Sequence, residues 1–186
     1  LDSLNDLVKM GKIRYIGLSN ETPWGTMKFL HHSNISSTPR VQSIQNAYNL
    51  LNRTFEIGGS EIAHREDVGL LAYSPLAQGY LTGKYQNGKL PKGSRKELFN
   101  RLQRYEGPYA EEAIEDYISI AKKYNIDPSQ LANQFVTTRP FVTSNIIGAT
   151  SMEQLKLAVT SIEVDLTEEI NDEIEKAFQK HGNVAS

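Results

Sequence analysis

Cysteine is absent from this chain of 186 residues. Its absence excludes both a disulfide framework and a thiolate metal site. An excess of charge of one sign is also missing, because 20 Lys and Arg residues stand against 22 Asp and Glu residues and the formal net charge is -2. This balance gives no electrostatic basis for binding nucleic acid or an anionic membrane, so neither is expected as a partner.

Long hydrophobic runs are missing as well. No stretch approaches the roughly 20 consecutive apolar residues that cross a bilayer, and the first residues lack the pattern of a signal peptide. The four histidines show no metal-ligand spacing. We therefore expect one globular domain in the cytoplasm or an organelle matrix, with no metal site.

Short apolar segments that read as strands alternate with helical patterns, which is typical of a parallel α/β sheet with helices on one side. The strands are predicted at 14–18, 41–46, 68–73 and 144–148. The last two are continuous apolar runs, so we expect them to be buried on both faces. The helical patterns cover an opening segment that ends at Gly11, then 23–32, 110–124, 127–137, 151–160 and 168–180.

The apolar periodicity also indicates which helical side chains face the core. Five of those expected to be buried, in the second and fifth predicted helices, are Met27, Phe29, Leu30, Leu155 and Val159. Because the chain opens within a helical pattern, we expect it to be part of a longer protein.

Three of the predicted strands end in polar side chains. These are Ser19 and Asn20, then Gln45 and Asn46, then Tyr73 and Ser74. Since the carboxyl ends of parallel strands carry the ligand in α/β folds, the three tips predict a common binding site. Ordinary loop chemistry is the alternative, because Ser and Asn also favour turns.

Two further segments are candidates for binding an anion. The connection from 78 to 109 lacks periodicity, and connections this long are usually functional or disordered. Its basic residues are Lys84, Lys89, Lys92, Arg95, Lys96, Arg101 and Arg104. After the fourth strand, Thr150 or Ser151 can cap a helix whose first N–H groups are free, so both segments could share one phosphate. The alternatives are a solvated loop and a plain capped helix.

Five motifs in a fixed order carry a resemblance to a known family. They are GKIRYIGLSN (11–20), QNAYNLLNR (45–53), GLLAYSPLAQGYLTGKY (69–85), GSR (93–95) and IIGATSMEQL (146–155). The chain closely resembles the aldo-keto reductase superfamily, nearest to its Tas-like oxidoreductases, with the potassium-channel beta subunits as more distant relatives. The resemblance implies a TIM (β/α)8 barrel, of which residues 1–186 would be the C-terminal half, strands five to eight, without the N-terminal catalytic half.

The same resemblance implies a site for NADP(H). Ser19, Asn20 and Gln45 match the residues that bind the nicotinamide carboxamide, and Tyr73 matches the ring that stacks on the nicotinamide. Other family positions lie along the pyrophosphate, at the 2′-phosphate and near the adenine, and are matched here by Ser74, Pro75, Leu76, Gln78, Lys84, Arg95, Thr150 and Gln154. Ala158 departs from the family, whose members carry Asn there, which removes one expected adenine contact.

Catalytic residues have no counterpart in this chain. The family uses a Tyr, a Lys, an Asp and usually a His from the first half of the barrel, and neither Tyr48 nor Tyr80 has a Lys–Asp pair beside it in the pattern. We therefore expect the cofactor-binding half of an NADPH-dependent reductase of small-molecule carbonyls. Its partner would be the missing N-terminal half or another copy of the chain. A non-catalytic nicotinamide-binding regulatory module and a structural half-barrel are the alternatives.

Overall fold

The computed structural model describes residues 1–36, 38–99 and 103–185. Within these ranges, four strands form one parallel sheet in the order β1-β2-β3-β4. The strands are β1 (Ile16–Ser19), β2 (Val41–Ala47), β3 (Gly69–Tyr73) and β4 (Val142–Ile146). The parallel pairing of consecutive strands confirms the predicted α/β class. Every helix in the same ranges is too short or too polar to span a bilayer.

Eight α-helices connect and flank these strands in the described part of the chain. They are α1 (Asp2–Lys9), α2 (Pro23–Ser36), α3 (Gly59–Glu66), α4 (Arg95–Phe99), α5 (Ala110–Lys123), α6 (Pro128–Thr137), α7 (Met152–Thr160) and α8 (Glu168–His181). All six predicted helices are present, and α2 runs four residues beyond its predicted end. The helices α3 and α4 are not anticipated, because eight and five residues carry too little periodicity to be recognised.

Local signals set the ends of several helices. Gly11 has a φ of 69° just beyond α1, the left-handed conformation in which glycine ends helices. Asp127 caps α6 by accepting a hydrogen bond from the Ser129 backbone N–H at 2.7 Å. Ser151 caps α7 by accepting from the Gln154 backbone N–H at 3.2 Å. These ends therefore follow from the sequence itself.

The two faces of the sheet differ in what covers them. Ile44 and Leu70 pair in register and are 3% and 0% exposed, since α2, α3 and α6 pack along the sheet on their side. The opposite side, which we call the open face, carries mostly small and polar side chains. The open face comprises Gly17, Ser19, Ser43, Gln45, Ala47, Gly69, Leu71, Tyr73, Ser144 and Ile146. Nine of these ten residues are half-buried or exposed and Ala47 is buried, so the helices of the described ranges leave most of this face accessible.

Burial on both faces is observed for neither the third nor the fourth strand, since Gly69, Leu71 and Tyr73 of β3 are only half-buried on the open face. The strand β4 begins two residues before its predicted start and pairs only with β3, so it is an edge of the sheet. Ile146 and Ile147 remain 36% and 38% exposed. The expected burial is wrong because, in the described ranges, no further strand pairs with β4 and no helix covers its open face.

Two helices also expose residues that the periodicity places inside. In α7, Leu155 and Val159 are 38% and 55% exposed, because that helix contacts α6 on one side and lacks a further layer in the described chain. In α2, Met27 is 41% exposed while Leu30 is buried as expected and Phe29 is partly buried. The face of α2 that meets the sheet is formed by its buried Thr26, Leu30 and Ser33, and Met27 lies about 100° around the helix from Thr26.

A buried arginine joins the loop after β2 to the last helix. The Arg53 guanidinium binds both carboxylate oxygens of Glu56 at 2.8 Å and one of Glu175 at 2.9 Å. It lies 3.9 Å from the centroid of the Phe178 ring, and its residue is only 7% exposed. Burial by itself would lower the pKa of Arg53, but the hydrogen bonds that it donates to Glu56 and Glu175 raise it above its ordinary value. The Arg53 N–H also donates to Asn183 Oδ1, so this loop is fixed to the C-terminal segment.

Replacing Arg53 by alanine is expected to destabilise the fold by about 3 kcal/mol, because Glu56 and Glu175 would lose the cation that neutralises them in a partly buried site. Arg65→Ala is the control, since Arg65 and Glu61 form an ion pair with side chains 75% and 66% exposed. Such a surface pair contributes about 0.5 kcal/mol or less. Urea unfolding of both variants checks this, and equal small losses would contradict the role assigned to Arg53.

Candidate functional site

The tips of β1, β2 and β3 meet at one corner of the open face. Ser19 and Gln45 are paired in register, and the Asn20 backbone N–H donates to the Gln45 carbonyl at 3.0 Å. Asn20 Nδ2 donates to Ser19 Oγ at 3.3 Å, and the Tyr73 hydroxyl donates to Asn20 Oδ1 at 2.7 Å. The structure therefore places Ser19, Asn20, Gln45 and Tyr73 side by side.

Asn46 does not join this cluster, although the sequence groups it with Gln45. Successive side chains of a strand point to opposite faces, so Asn46 lies on the helix-covered side. There its Nδ2 donates to the Glu21 carbonyl at 3.2 Å. Its Oδ1 is buried and has no hydrogen-bond partner among the described residues. The grouping of Asn46 with the strand-tip site is therefore wrong.

The backbone is strained at the same corner. Asn20, Ser74, Ala77 and Gln78 have φ values of 54°, 59°, 47° and 57°, a region that residues with a Cβ rarely occupy. They are four of the eight non-glycine residues with positive φ in the described chain. Conformations of this kind cost about 1–3 kcal/mol each and concentrate at functional sites. The clustering points to ligand binding at this edge of the sheet.

The turn after β3, residues 74–78, also presents an unpaired polar group. Pro75 is buried and Leu76 is half-buried, so this turn packs against the body of the protein. The Ala77 N–H donates to the Ser74 carbonyl at 2.9 Å. Gln78 Oε1 is buried without a hydrogen-bond partner among the described residues. Because buried polar atoms are nearly always bonded, this oxygen indicates a missing ligand or water partner.

The basic connection is organised around Tyr85. Lys84 Nζ lies 5.1 Å and Lys96 Nζ 5.9 Å from the centroid of this buried ring, and the Lys96 N–H donates to the Tyr85 hydroxyl at 3.2 Å. The ring thereby holds Lys84 close to the start of α4, where Arg95 is the first residue and is exposed. Arg101, which the sequence places in the same basic set, lies outside the described residues.

Acidic side chains neutralise part of that positive charge. Lys96 forms an ion pair with Glu106, which raises the pKa of Lys96 and lowers that of Glu106. The charge of Lys96 is therefore not free for an anion, whereas Lys84 and Arg95, the pair that the resemblance implies for the 2′-phosphate, form no ion pair among the described residues.

Thr150 and Gln154 are exposed and bind each other at the start of α7. Gln154 Oε1 accepts from the Thr150 N–H at 2.9 Å and from its hydroxyl at 3.1 Å. Ser151 is the cap residue as expected, but Gln154 Oε1 accepts from Thr150, one residue before the cap, and not from the Ser151 N–H as in a complete capping box. No hydrogen bond among the described residues joins either side chain to Lys84 or Arg95, so a phosphate shared between the two segments stays a prediction.

Two residues beside the site, Asn49 and Tyr105, are not found by sequence reasoning, whereas Arg104 belongs to the basic set named from the sequence. The nearby Tyr73 hydroxyl raises the pKa of the Arg104 guanidinium, so Arg104 lies near the strand tips. The next residue, Tyr105, is only 1% exposed, and its hydroxyl accepts from Asn49 Nδ2 at 3.2 Å. An aromatic residue inside a basic, aperiodic segment was the signal that could have located this contact.

Tyr48 and Tyr80 are poorly suited to acid catalysis near neutral pH. Burial raises the pKa of Tyr48, and its hydrogen bond to Glu56 raises it further. Burial and a hydrogen bond to Glu106 raise the pKa of Tyr80 to about 12. A catalytic acid needs a pKa close to the working pH, so both environments act in the wrong direction.

The residues present fit a nicotinamide group. Ser19, Asn20 and Gln45 offer hydroxyl and amide groups of both hydrogen-bonding kinds to a carboxamide, and the half-buried Tyr73 ring lies next to them. Asn20 Oδ1 already accepts from the Tyr73 hydroxyl at 2.7 Å. Because an amide oxygen can accept two hydrogen bonds, a carboxamide N–H can share this oxygen.

Comparison with known proteins identifies one family and several relatives. Residues 1–179 match the Aldo/keto reductase family. The chain is 48% identical over 179 residues to Protein tas of Escherichia coli (strain K12), covering 96% of this chain and 52% of that protein. It is 42% identical to an aldo-keto reductase of Babesia bovis over 84% of this chain and 57% of that protein. It is 32% identical to L-glyceraldehyde 3-phosphate reductase of E. coli over 86% of this chain and 47% of that protein. The chain thus spans about half the length of these curated relatives.

Gln78→Gly should stabilise the fold relative to Gln78→Ala. Both variants remove the unpaired buried amide, but only glycine relieves the left-handed backbone, which costs about 1–2 kcal/mol for a residue with a Cβ. We expect the glycine variant to be about 1 kcal/mol more stable in urea unfolding. Gln86 supplies the control pair, because its backbone is helical and glycine should be less stable than alanine there by about 0.5–1 kcal/mol. The same order at both positions would contradict the strain at Gln78.

Proposed function

The chain belongs to the aldo/keto reductase family, in its Tas-like branch, and from this we propose that it is the cofactor-binding half of an NADP(H)-dependent aldehyde or ketone oxidoreductase. In this proposal the strands β1 to β4 are strands five to eight of a (β/α)8 barrel. Residues 1–186 form the C-terminal half, and the catalytic half lies outside this chain.

The observation that carries the proposal is the strained, polar corner of the open face. Three strand tips bring Ser19, Asn20, Gln45 and Tyr73 together, and positive φ values occur at Asn20 and, just beyond β3, at Ser74, Ala77 and Gln78. In barrels of this kind the ligand binds at the carboxyl ends of the strands. The corner lies at those ends.

Each part of the cofactor has a group to hold it in this proposal. Ser19, Asn20 and Gln45 bind the carboxamide, and Tyr73 stacks on the nicotinamide ring. The strained turn made by Ser74, Pro75, Leu76 and Gln78 runs along the pyrophosphate. Lys84 and Arg95 hold the 2′-phosphate, with Thr150 and Gln154 near it and the adenine. Ala158 offers no polar contact to the adenine.

The bound nicotinamide would supply or accept the hydride that converts a carbonyl and an alcohol into each other. Tyr73 then fixes which face of the ring is presented to the substrate. The proton is assigned to the absent half, because the environments of Tyr48 and Tyr80 raise their pKa values. The lack of a catalytic acid also favours, as a second candidate, a nicotinamide-binding regulatory module without turnover.

The partner in this proposal is the N-terminal half of the barrel, or a second copy of the chain. The accessible open face and the exposed Ile146, Leu155 and Val159 support a covering layer there. A small-molecule carbonyl compound is the substrate of the completed enzyme. The cytoplasm or an organelle matrix, where NADP(H) is available, is the proposed location.

Tyr73→Phe is expected to bind NADPH within about twofold of the unchanged chain. Phenylalanine keeps the stacking ring, and Asn20 Oδ1 can accept a carboxamide N–H with or without the tyrosine hydroxyl. Tyr73→Ala should weaken binding, because it removes the ring. Titrations followed by NADPH fluorescence measure both variants, with Tyr15→Phe as the control because Tyr15 is 75% exposed. Equal weakening by phenylalanine and alanine would show that the hydroxyl itself binds the cofactor.

Arg95→Ala tests the preference for the phosphorylated cofactor. A charge-assisted hydrogen bond contributes about 1.5–3 kcal/mol, so the dissociation constant for NADPH should rise about ten- to a hundredfold. The constant for NADH, which lacks the 2′-phosphate, should stay nearly unchanged. Lys92→Ala is the matched control, as an exposed cation of the same connection. Equal losses for both cofactors, or none, would exclude Arg95 from the phosphate site.

A further inference from the structure

Asn49 is a fully buried amide between the ends of β2 and β3, with 0% of its surface exposed. Its Nδ2 donates to the Ser74 carbonyl at 2.9 Å and to the Tyr105 hydroxyl at 3.2 Å. Its Oδ1 accepts from the backbone N–H groups of Leu51 and Asn52, each at 3.0 Å. An amide side chain has two donors and room for two acceptor bonds, so Asn49 uses its full capacity.

The first hydrogen bond that Asn49 Nδ2 donates holds Ser74, the strained residue at the start of the turn at 74–78. Ser74 has a φ of 59°, and its carbonyl accepts from Asn49 Nδ2 and from the Ala77 N–H at 2.9 Å. The preceding carbonyl, that of Tyr73, accepts from the Tyr48 N–H at 3.3 Å. The carbonyl groups of Tyr73 and Ser74 are thus both held by hydrogen bonds from the segment that follows β2. Strained conformations persist only where the surroundings determine them in this way.

The second donor of the same amide holds the far end of the basic connection. Tyr105 is 1% exposed and belongs to the short 3-10 turn Gln103–Tyr105. The same amide brings this turn next to Ser74, at the end of β3. One amide therefore sets the positions of two segments that border the strand tips, although Asn49 itself lies below the surface that a ligand would touch.

We infer that Asn49 is a positioning residue for the nicotinamide cofactor, acting through the Ser74 carbonyl and the Tyr105 hydroxyl. This inference rests on the proposed function for its ligand. Its structural part is independent of any ligand: without the amide, the turn at 74–78 and the segment that carries Arg104 lose their common anchor.

The test compares Asn49→Ser with Asn52→Ser in the whole chain. A serine hydroxyl at position 49 can still accept from the following N–H groups, as in the turns that serine forms, but it cannot reach both Ser74 and Tyr105. Asn52 is the matched control, because it is 4% exposed and bonds only to Thr54 through its side chain, at 3.2 and 2.6 Å. Tyr105→Phe, which removes a single hydroxyl, is the second variant if Asn49→Ser does not fold.

Two readouts separate the inference from the proposed function. The first is the dissociation constant for NADPH, which should rise about tenfold or more in Asn49→Ser and stay within about twofold in Asn52→Ser. The second is hydrogen exchange of the Ala77 amide without cofactor, which should accelerate about tenfold in Asn49→Ser and stay unchanged in Asn52→Ser. Tyr105→Phe should change both readouts in the same direction by a smaller factor.

Weakened NADPH binding with faster Ala77 exchange, both confined to Asn49→Ser and Tyr105→Phe, supports the inference. Equal effects in Asn52→Ser, or unchanged Ala77 exchange in Asn49→Ser, overturn it, because Asn49 would then contribute only to general stability. If the unchanged chain binds neither NADPH nor NADH, the proposed function fails and the positioning of a cofactor fails with it. The Ala77 exchange still decides in that case whether Asn49 anchors the turn.

Discussion

The guanidinium of Arg53 is the interaction on which the loop after β2 depends. Two carboxylates bind it from different parts of the chain, Glu56 in the same loop and Glu175 in α8. Because this cation is buried, it constrains the loop far more than an exposed ion pair would. The same loop carries Asn49, whose amide reaches the Ser74 carbonyl. The position of the strand-tip corner is therefore determined by contacts that lie behind it.

This arrangement separates the part that holds the fold from the part that faces a ligand. The helix-covered side of the sheet is apolar and closed, whereas the open face is small, polar and accessible. Backbone strain is concentrated at the open face, at Asn20, Ser74, Ala77 and Gln78. Strain at these residues lowers the stability of the fold but gives the turn a fixed shape. Such a trade-off between stability and function is expected at a binding site.

Much of the fold and part of the site could be predicted from the sequence. The first three strands, the six longer helices and the cap at Asp127 follow from periodicity and turn chemistry, which depend on neighbours in the chain. The adjacency of Ser19, Gln45 and Tyr73 follows from a general rule, since parallel strands end at one edge. Exposure of Leu155 and Val159 could not be predicted, because a helical pattern shows an apolar face without showing whether anything covers it.

By itself, the sequence determined the family, the alternation of strands and helices and the polar ends of three strands. Each of these features can be recognised from short motifs or from the spacing of apolar residues along the chain. Only the tertiary structure decided that Tyr73 bonds to Asn20, 53 residues away, that Asn49 bonds to Tyr105, 56 residues away, and that Arg53 bonds to Glu175, 122 residues away. These contacts join side chains that no local pattern relates, and their geometry is set by how the loops pack once the sheet has formed.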